Sequence, residues 1–407
     1  MHRWGILGPD EIVSVRRART LGVSQIIREY NELAVPGLGN VYFGKQILLA
    51  LLGICFGQEM RAENRKLSNI AAANAIEALG CLWAYRETRF ESNPRLRGST
   101  KLHGNDDGFK SLSAPGAYVS QPMRMATGQA LYEFGLVESD GSRRFNSYRC
   151  SDIGRKLIEL SYSSGQGRPD PIGQFINWVQ GRSMRGMNPY LLPTEGLSSG
   201  AAKFLLELLA SNSTHRSKLL RWMGTLPETG KVTWSMLKKA NLEEEHFAQI
   251  RDGANFVAMR DAAIALLEGC ESIMSNDDLK ALKLSNLAIN TLKVSSDKLK
   301  NTAKTYSDGW SRIDYSSNEA RQFAEICIQS DLREVLQQLV SRDNVVLRLV
   351  DDEIKRGPAF DQNFSLSDDD DDDEETALLQ WPDKLSPRIQ NLFELMTDLK
   401  SSIGSYQ

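Results

Sequence analysis

The sequence contains few of the residues that most enzyme motifs require. It has four histidines in 407 residues, and no two stand at metal-ligand spacing; they are His2, His103, His215 and His246. Neither Gly-x-Ser-x-Gly nor His-Glu-x-x-His occurs, so a serine-hydrolase elbow and a histidine-held zinc site are not indicated. The sequence therefore predicts no metal and no cofactor, and it favours a protein that is not an enzyme without deciding the question.

Cysteines are also sparse, and long apolar runs are absent. The cysteines lie far apart, without a Cys-x-x-Cys pair, at Cys55, Cys81, Cys150, Cys270 and Cys327. This distribution predicts reduced core residues in a cytoplasmic protein. The start, residues 1–10, lacks the layout of a signal peptide, and the longest apolar run, residues 47–56, is too short to span a bilayer. We expect no membrane partner.

The charge is distributed unevenly along an otherwise ordinary composition. With 41% apolar and 25% charged residues, the chain is typical of a folded protein of two or three domains. Residues 1–160 carry 21 Lys and Arg against 16 Asp and Glu, whereas residues 331–407 carry 8 against 18. A weakly basic front and a strongly acidic end are compatible with a nucleic-acid partner at the front.

The segment 121–160 has the order helix, strand, turn, strand, helix. Apolar residues recur at helical spacing up to Phe134, and Gly135 can adopt the left-handed conformation that ends a helix. Asp140-Gly141 favours a tight turn, which would pair Leu136 and Val137 with Phe145, Tyr148 and Cys150. Ser151 is a good N-cap for the closing helix. This is the order of a winged helix.

Two short motifs in this segment resemble winged helix-turn-helix proteins of the MarR type. They are Gly135-Leu136-Val137 and the run Ser151-Asp-Ile-Gly-Arg-Lys-Leu157. The resemblance implies that helix 123–134 is a recognition helix and that the hairpin after it is a wing. The helix that should precede it falls in residues 111–120, which Pro115 and Gly116 interrupt.

The resemblance also implies a DNA interface. In that family the exposed face of the recognition helix enters the major groove and the wing rests on phosphates. The groove-facing candidates are Arg124, Thr127 and Gln129, and the wing candidates are Arg143, Arg144 and Arg149. Double-stranded DNA is therefore an expected partner. The alternative is that the wing arginines are ordinary solvated charges.

Two further segments carry features of phosphate sites. The loop 93–104 holds Arg95, Arg97 and Lys101, which either contact phosphates or belong to a solvated linker. Gly39-Asn-Val-Tyr-Phe-Gly44-Lys45 matches a nucleotide-binding loop, but Gln46 follows where that loop needs a hydroxyl. The sequence instead predicts that Gly37, Gly39 and Gly44 form a turn before the apolar helix.

The sequence predicts a mainly α fold with an embedded winged helix and a small β-hairpin. We expect a helical N-terminal unit over 1–104, a winged-helix-like domain over 105–180 and a helical domain over 193–357. An acidic linker, 358–377, contains eight consecutive acids. It leads to an amphipathic helix in 378–407, which could dock on a partner or on the protein itself.

One segment near the acidic linker suggests an enzymatic alternative. Asp343, the apolar run 345–350 and Glu353-Ile354-Lys355 are similar to the restriction-type nuclease pattern of an acid, a buried strand and Glu-x-Lys. In that pattern carboxylates hold magnesium and the lysine assists the attacking water. The same run also fits a helix that exposes Asp351 and Asp352.

A second resemblance extends over the whole chain. Residues 21–28 with Val35-Pro-Gly37, residues 188–193 and Gly253-Ala-Asn255 look like an uncharacterised prokaryotic family carried beside helicase and nuclease genes in phage-defence clusters. It implies an accessory subunit of a bacterial defence system and assigns no catalytic residue. We therefore expect a DNA-contacting or scaffold subunit that works with other protein subunits. The alternatives are a protein–protein adaptor and a divergent nuclease.

Overall fold

A computed structural model of the chain describes residues 19–162, 170–182, 184, 186–286, 289–309, 318–361, 379–381 and 384–404. These residues are mainly helical, as the sequence predicts. The acidic run 368–375 lies outside them. The described residues belong to two compact units: a larger unit drawn from Ile27–Ala254 and Ser367–Gln407, and a smaller unit drawn from Met1–Ile26 and Asn255–Leu366.

The helices that begin in the first half of the chain are α1 Ser24–Ala34, α2 Gly44–Ala62, α3 Asn69–Glu87, α4 Ser99–Leu102, α5 Phe109–Leu112, α6 Met123–Glu133, α7 Asp152–Ser161, α8 Pro171–Val179, α9 Asn188–Leu191 and α10 Ser199–Ala210. Those that follow are α11 Thr214–Met223, α12 Trp234–Leu237, α13 Glu244–Asn276, α14 Ile289–Ser307, α15 Asn318–Ile328, α16 Leu332–Asp343 and α17 Pro387–Gly404. The strands are β1 Val137–Glu138, β2 Arg149–Cys150, β3 Ala281–Lys283, β4 Leu347–Val350 and β5 Glu353–Arg356.

Helices α2 and α3 form the centre of the larger unit. Both are apolar on nearly every face, so each must be covered all round, and most of their residues are fully buried. Their backbones approach closely because Gly53 has no side chain: a Cβ there would lie 2.4 Å from the Cα of Ala73. Helices α6, α7 and α8 pack on α2, while α5 and α9 pack on α3.

The turn before α2 explains the glycines of the nucleotide-loop-like motif. Gly37 and Gly39 have φ values of 73° and 64°, which favour glycine. A Cβ on Gly39 would lie 2.4 Å from the carbonyl oxygen of Ala126, and the amide of Asn40 donates to that same oxygen at 3.0 Å. Gly37 and Gly39 therefore bring this turn against α6, whereas Gly44, which the sequence places in the turn, is the first residue of α2.

The C-terminal helix α17 packs on its own chain. It covers α10 and α11 and buries Ile389, Leu392 and Leu399. The buried carboxylate of Asp398 accepts from the amide of Gly44 at 2.9 Å and from Arg95 at 2.7 Å, which fixes α17 to the positive end of α2. The sequence left open whether this helix docks on a partner or on the protein itself, and in the structure it packs on the protein itself.

The smaller unit is not purely helical. Three rings pack together in its core: the ring centroid of Phe256 lies 5.4 Å from that of Tyr306 and 5.9 Å from that of Phe323. Beside them, three short antiparallel strands pair in the order β3–β5–β4. The sequence predicts a helical domain over this region, and only the nuclease-like alternative contains a strand, at residues 345–350. The three-stranded sheet is not predicted because each strand has three or four residues and β3 pairs with residues 70 to 74 positions away.

Among the described residues, no helix is both long and apolar enough to cross a lipid bilayer.

The contact between α2 and α3 generates a prediction about stability. Gly53→Ala should lower the free energy of unfolding by about 1–3 kcal/mol, because its methyl would overlap Ala73 in a filled core. The matched control is Gly128→Ala in α6, where a Cβ would meet nothing within 4 Å. Replacing that helical glycine should instead stabilise by about 0.5–1 kcal/mol. Urea denaturation of both variants measures the difference, and equal effects would contradict the close contact.

A buried histidine in the larger unit makes stability depend on pH. His246 is fully buried, its Nε2 donates to the carbonyl of Ala34 at 3.0 Å, and its ring stacks on His215 at 4.1 Å. Burial lowers the pKa of His246 from 6.5 to about 4. Because the lowered pKa means that the unfolded chain takes up the proton first, stability should fall as the pH drops from about 7 to 4.

The expected loss over this range is roughly 2–3 kcal/mol. His246→Gln keeps an N–H donor for Ala34 but does not titrate. Between pH 7 and 4 its free energy of unfolding should therefore fall by about 2–3 kcal/mol less than that of the wild type. His103→Gln, at an exposed position, should behave like the wild type. Parallel curves for wild type and His246→Gln would contradict the assignment.

Candidate nucleic-acid interface

The segment from α6 to α7 folds in the predicted order. Gly135, with φ 69°, ends α6, and the Oγ of Ser151 caps α7 by accepting from the amide of Gly154 at 3.0 Å. Strands β1 and β2 pair Val137 with Cys150 and Glu138 with Arg149. The hairpin exists, but only Cys150 of its three predicted apolar partners lies in the ladder.

The observed hairpin departs from the predicted one in the ten residues that connect β1 and β2. Asp140-Gly141 does not form a two-residue hairpin loop; instead residues 139–148 form a wider loop with a 3-10 turn, Phe145–Ser147. Serine side chains stabilise it: the hydroxyl of Ser142 donates to that of Ser147 at 2.8 Å, and Ser147 donates to the carbonyl of Arg144 at 2.7 Å. These local side-chain bonds compete with strand pairing. We call residues 139–148 the wing.

The wing is fixed to the start of α3. The Nδ2 of Asn69 donates to the carbonyls of Phe145 and Tyr148, both at 2.9 Å, and the amide of Ile70 donates to the Oδ1 of Asn146 at 3.0 Å. Asn69 is fully buried. One buried side chain therefore holds two points of the wing.

The three predicted groove-facing residues of α6 are engaged within the protein. Thr127 is fully buried, and its hydroxyl donates to the carbonyl of Arg124 at 2.9 Å. The Nε of Arg124 donates to the Oδ1 of Asn74 at 2.5 Å, and burial lowers the pKa of Arg124. Gln129 donates to Glu32 at 2.5 Å and accepts from Arg388 at 3.1 Å. Thr127 is thus out of reach of DNA in this structure, and the other two already have partners.

The three wing arginines are exposed, as the sequence predicts. The guanidinium of Arg143 lies 4.5 Å from the ring centre of Tyr132 and 3.7 Å from Glu133. Within the described part of the chain, Arg144 and Arg149 form no ion pair. Glu138 is the cross-strand neighbour of Arg149, yet the two side chains do not come within ion-pair distance. Arg144 and Arg149 are therefore available for an anion.

The structure adds a cation that the sequence reasoning missed. The exposed Arg61, at the end of α2, has a lowered pKa, first because of partial burial and then because of the positive charge of Arg149. Arg65 and Lys66 follow in the exposed connection to α3. Arg65 pairs with Glu63 at 3.6 Å, whereas the charge of Arg149 acts on Arg61. The position of Arg61 beside the wing depends on long-range packing, which the sequence does not show. We call Arg61, Arg144 and Arg149 the wing face.

A shallow groove of about 350 Å³ separates α6 from the wing. Arginine and aromatic side chains dominate its walls, and Gly128 contributes no side chain. Met125 stands at its edge, 54% exposed. The groove offers cations and ring faces together.

Two cations of the basic loop 93–104 face the interior of the protein, and the third lies at the surface. Arg95 pairs with buried Asp398 and lies 5.1 Å from the ring centre of Phe43. Arg97 is half-buried. Burial raises the pKa of Tyr118, and the positive charge of Arg97 opposes this rise. Lys101 is exposed on α4. Arg95 and Arg97 thus stabilise the interior, which leaves Lys101 as the surface cation of the three.

The three nuclease candidates are not brought together. The buried Asp343 ends α16, and its Oδ2 accepts from the amide of Leu347 at 3.0 Å and from Arg19 at 3.2 Å. Leu347 lies at the open end of the β4–β5 hairpin, whereas Glu353 pairs with Val350 beside the turn, about 10 Å further along the strand. Glu353 instead lies 3.8 Å from both Lys283 and Lys355. The segment is a strand pair, with Asp351 and Asp352 in its exposed turn.

Among the described residues, no three His, Cys, Asp or Glu side chains gather as ligands for a metal ion. No protein-family model, no curated protein and no solved structure matches the chain.

The attachment of the wing generates a prediction. Asn69→Ala removes both bonds to the wing and leaves a buried carbonyl without its donor, so it should lower the free energy of unfolding by about 1–3 kcal/mol. Amide hydrogen exchange in residues 145–150 should also accelerate. Asn301→Ala, on an exposed face of α14, is the control and should change stability by less than about 0.5 kcal/mol. Unchanged exchange in the wing would contradict the role of Asn69.

Proposed function

We propose that this protein is a DNA-contacting accessory subunit whose wing face rests on the phosphate backbone of a duplex. The observation that carries the proposal is the packing of β2 on the end of α2, where the amide of Cys150 donates to the Oε1 of Gln58 at 3.1 Å and brings Arg149 near Arg61. Partial burial and then the like charge of Arg149 lower the pKa of Arg61, and within the described part of the chain Arg149 forms no ion pair. Phosphates between such cations relieve the repulsion and release counterions, which is the main source of affinity for nucleic acid.

The binding should depend little on sequence. Base readout requires polar side chains of a recognition helix that are free to reach base edges. Here Thr127 is buried, while Arg124 and Gln129 are bonded to Asn74 and Glu32. Contacts from the wing and from the end of α2 position a protein on DNA but carry no sequence information.

Two further observations support the cellular compartment and the assembly that we propose for this subunit. The resemblance to a prokaryotic family found in phage-defence clusters supports a subunit of a multi-protein bacterial system. The five cysteines are buried and free of disulfides, which fits the reducing cytoplasm. We therefore propose a cytoplasmic protein that acts with other protein subunits.

An adaptor role is the second candidate, and two exposed side chains favour it. Met125 on α6 and Ile153 on α7 are 54% and 40% exposed, although both residues are apolar. Exposed apolar side chains on a winged segment suit a protein partner. This role requires no DNA binding by the chain itself.

The DNA proposal predicts a change in salt dependence. Arg144→Ala/Arg149→Ala should weaken binding to a labelled duplex by at least tenfold at low salt. The slope of log affinity against log salt should become shallower by about 1–2, because up to two phosphate contacts are lost. Arg143 is kept because its guanidinium stacks on Tyr132. Two duplexes of unrelated sequence should bind the wild type within about threefold of each other.

The matched control is Arg221→Ala/Lys239→Ala, which removes the same charge from exposed positions on α11 and after α12. It should bind like the wild type. A lack of duplex binding at low salt would reject the proposal and leave the adaptor role. Equal weakening in the two variants would show only a general effect of net charge.

A further inference from the structure

A lysine is buried at the start of α2, outside the wing face. Lys45 is the second residue of the helix and is 3% exposed. Its Nζ donates one hydrogen bond, to the carbonyl of Tyr190, at 3.1 Å. A lysine ammonium has three donors and is seldom buried without a paired charge, so one bond to a neutral carbonyl is an unusual environment.

The amine lines a cavity of about 190 Å³. The walls combine hydroxyl, carboxylate and apolar groups from Ser161, Ser198, Tyr190, Glu195, Leu48 and Leu197. The segment Glu195–Leu197 also forms part of a larger groove of about 1180 Å³ beside α17. The cavity is large enough for a compound of a few heavy atoms, and the exposed Glu195 marks its solvent side.

The surrounding charges exclude a phosphate ligand at the motif Gly39–Lys45. The amide of Gly44, which would bind a phosphate in a nucleotide loop, already donates to Asp398. Glu195 and Asp398 both place negative charge near Lys45. Burial outweighs their effect and lowers the pKa of Lys45 to about 8. About a tenth of the amine is then uncharged and nucleophilic at pH 7, against less than about one part in a thousand for an ordinary lysine.

We propose that this cavity binds a small neutral hydroxy-aldehyde or hydroxy-ketone, which condenses reversibly with the Nζ of Lys45. The uncharged amine attacks the carbonyl carbon, and the carbonyl oxygen takes up a proton to give a carbinolamine. Loss of water then forms the C=N bond, so one amine and one carbonyl give one imine and one water. The hydroxyls of Ser161 and Ser198 are acceptors for the ligand hydroxyls, and Glu195 lines the same cavity, where its negative charge favours the ammonium form of the amine.

The test is site-resolved trapping on the unaltered protein. Glyceraldehyde with cyanoborohydride converts an imine to a stable adduct, which peptide mass spectrometry assigns to individual lysines. At pH 7, Lys45 should react at least tenfold faster than the exposed Lys101, with a rate that rises to a midpoint near pH 8. A rate no higher than that of Lys101, or a midpoint near pH 10, would overturn the proposal.

A pair of variants separates electrostatics from unfolding. Glu195→Gln removes a negative charge that favours the ammonium, so the midpoint at Lys45 should move to lower pH and the rate at pH 7 should rise severalfold. Glu228→Gln, on the wall of the larger groove alone, should leave both unchanged. Equal effects of the two variants would contradict the assigned environment of the amine.

Discussion

The close packing of α2 against α3 is the constraint on which the larger unit depends. Gly53 and Ala73 let α2 and α3 approach at backbone distance. Because neither helix has a polar face, both must be covered by other parts of the chain. The other helices of this unit cover them. The same constraint positions the wing, because Asn69 at the start of α3 bonds to it directly. Packing at the centre and the geometry of the candidate interface are therefore coupled.

Charged groups fix the covering helices in place. Asp398 of α17 joins Gly44 and Arg95, while Arg388 of the same helix joins Glu32 and Gln129. Because Asp398 and Arg388 are largely buried, each needs its partners to offset the cost of leaving water. The pairing has a functional consequence: the cations and amides it engages are removed from the surface, whereas Arg144 and Arg149 of the wing face stay available for an anion.

Local signals in the sequence predicted much of this fold, including the apolar helix after residue 44, the end of α6 at Gly135 and the cap at Ser151. These features depend on neighbours within a few residues. The sequence does not show that Arg124 and Gln129 of α6 are engaged within the protein, because their partners lie 50 to 259 positions away. The same limit applies to Arg61, which reaches the wing only through the packing of α2, and to the three-stranded sheet, whose strands are too short to show a pattern.

The most direct test of the account is amide hydrogen exchange of the protein with and without duplex DNA at low salt. If the wing face contacts phosphates, exchange should slow in residues 61–68 and 139–150 and stay unchanged in 93–98, where Arg95 and Arg97 face inward. Slower exchange confined to 93–104 or to other parts of the chain would contradict the assignment of the interface.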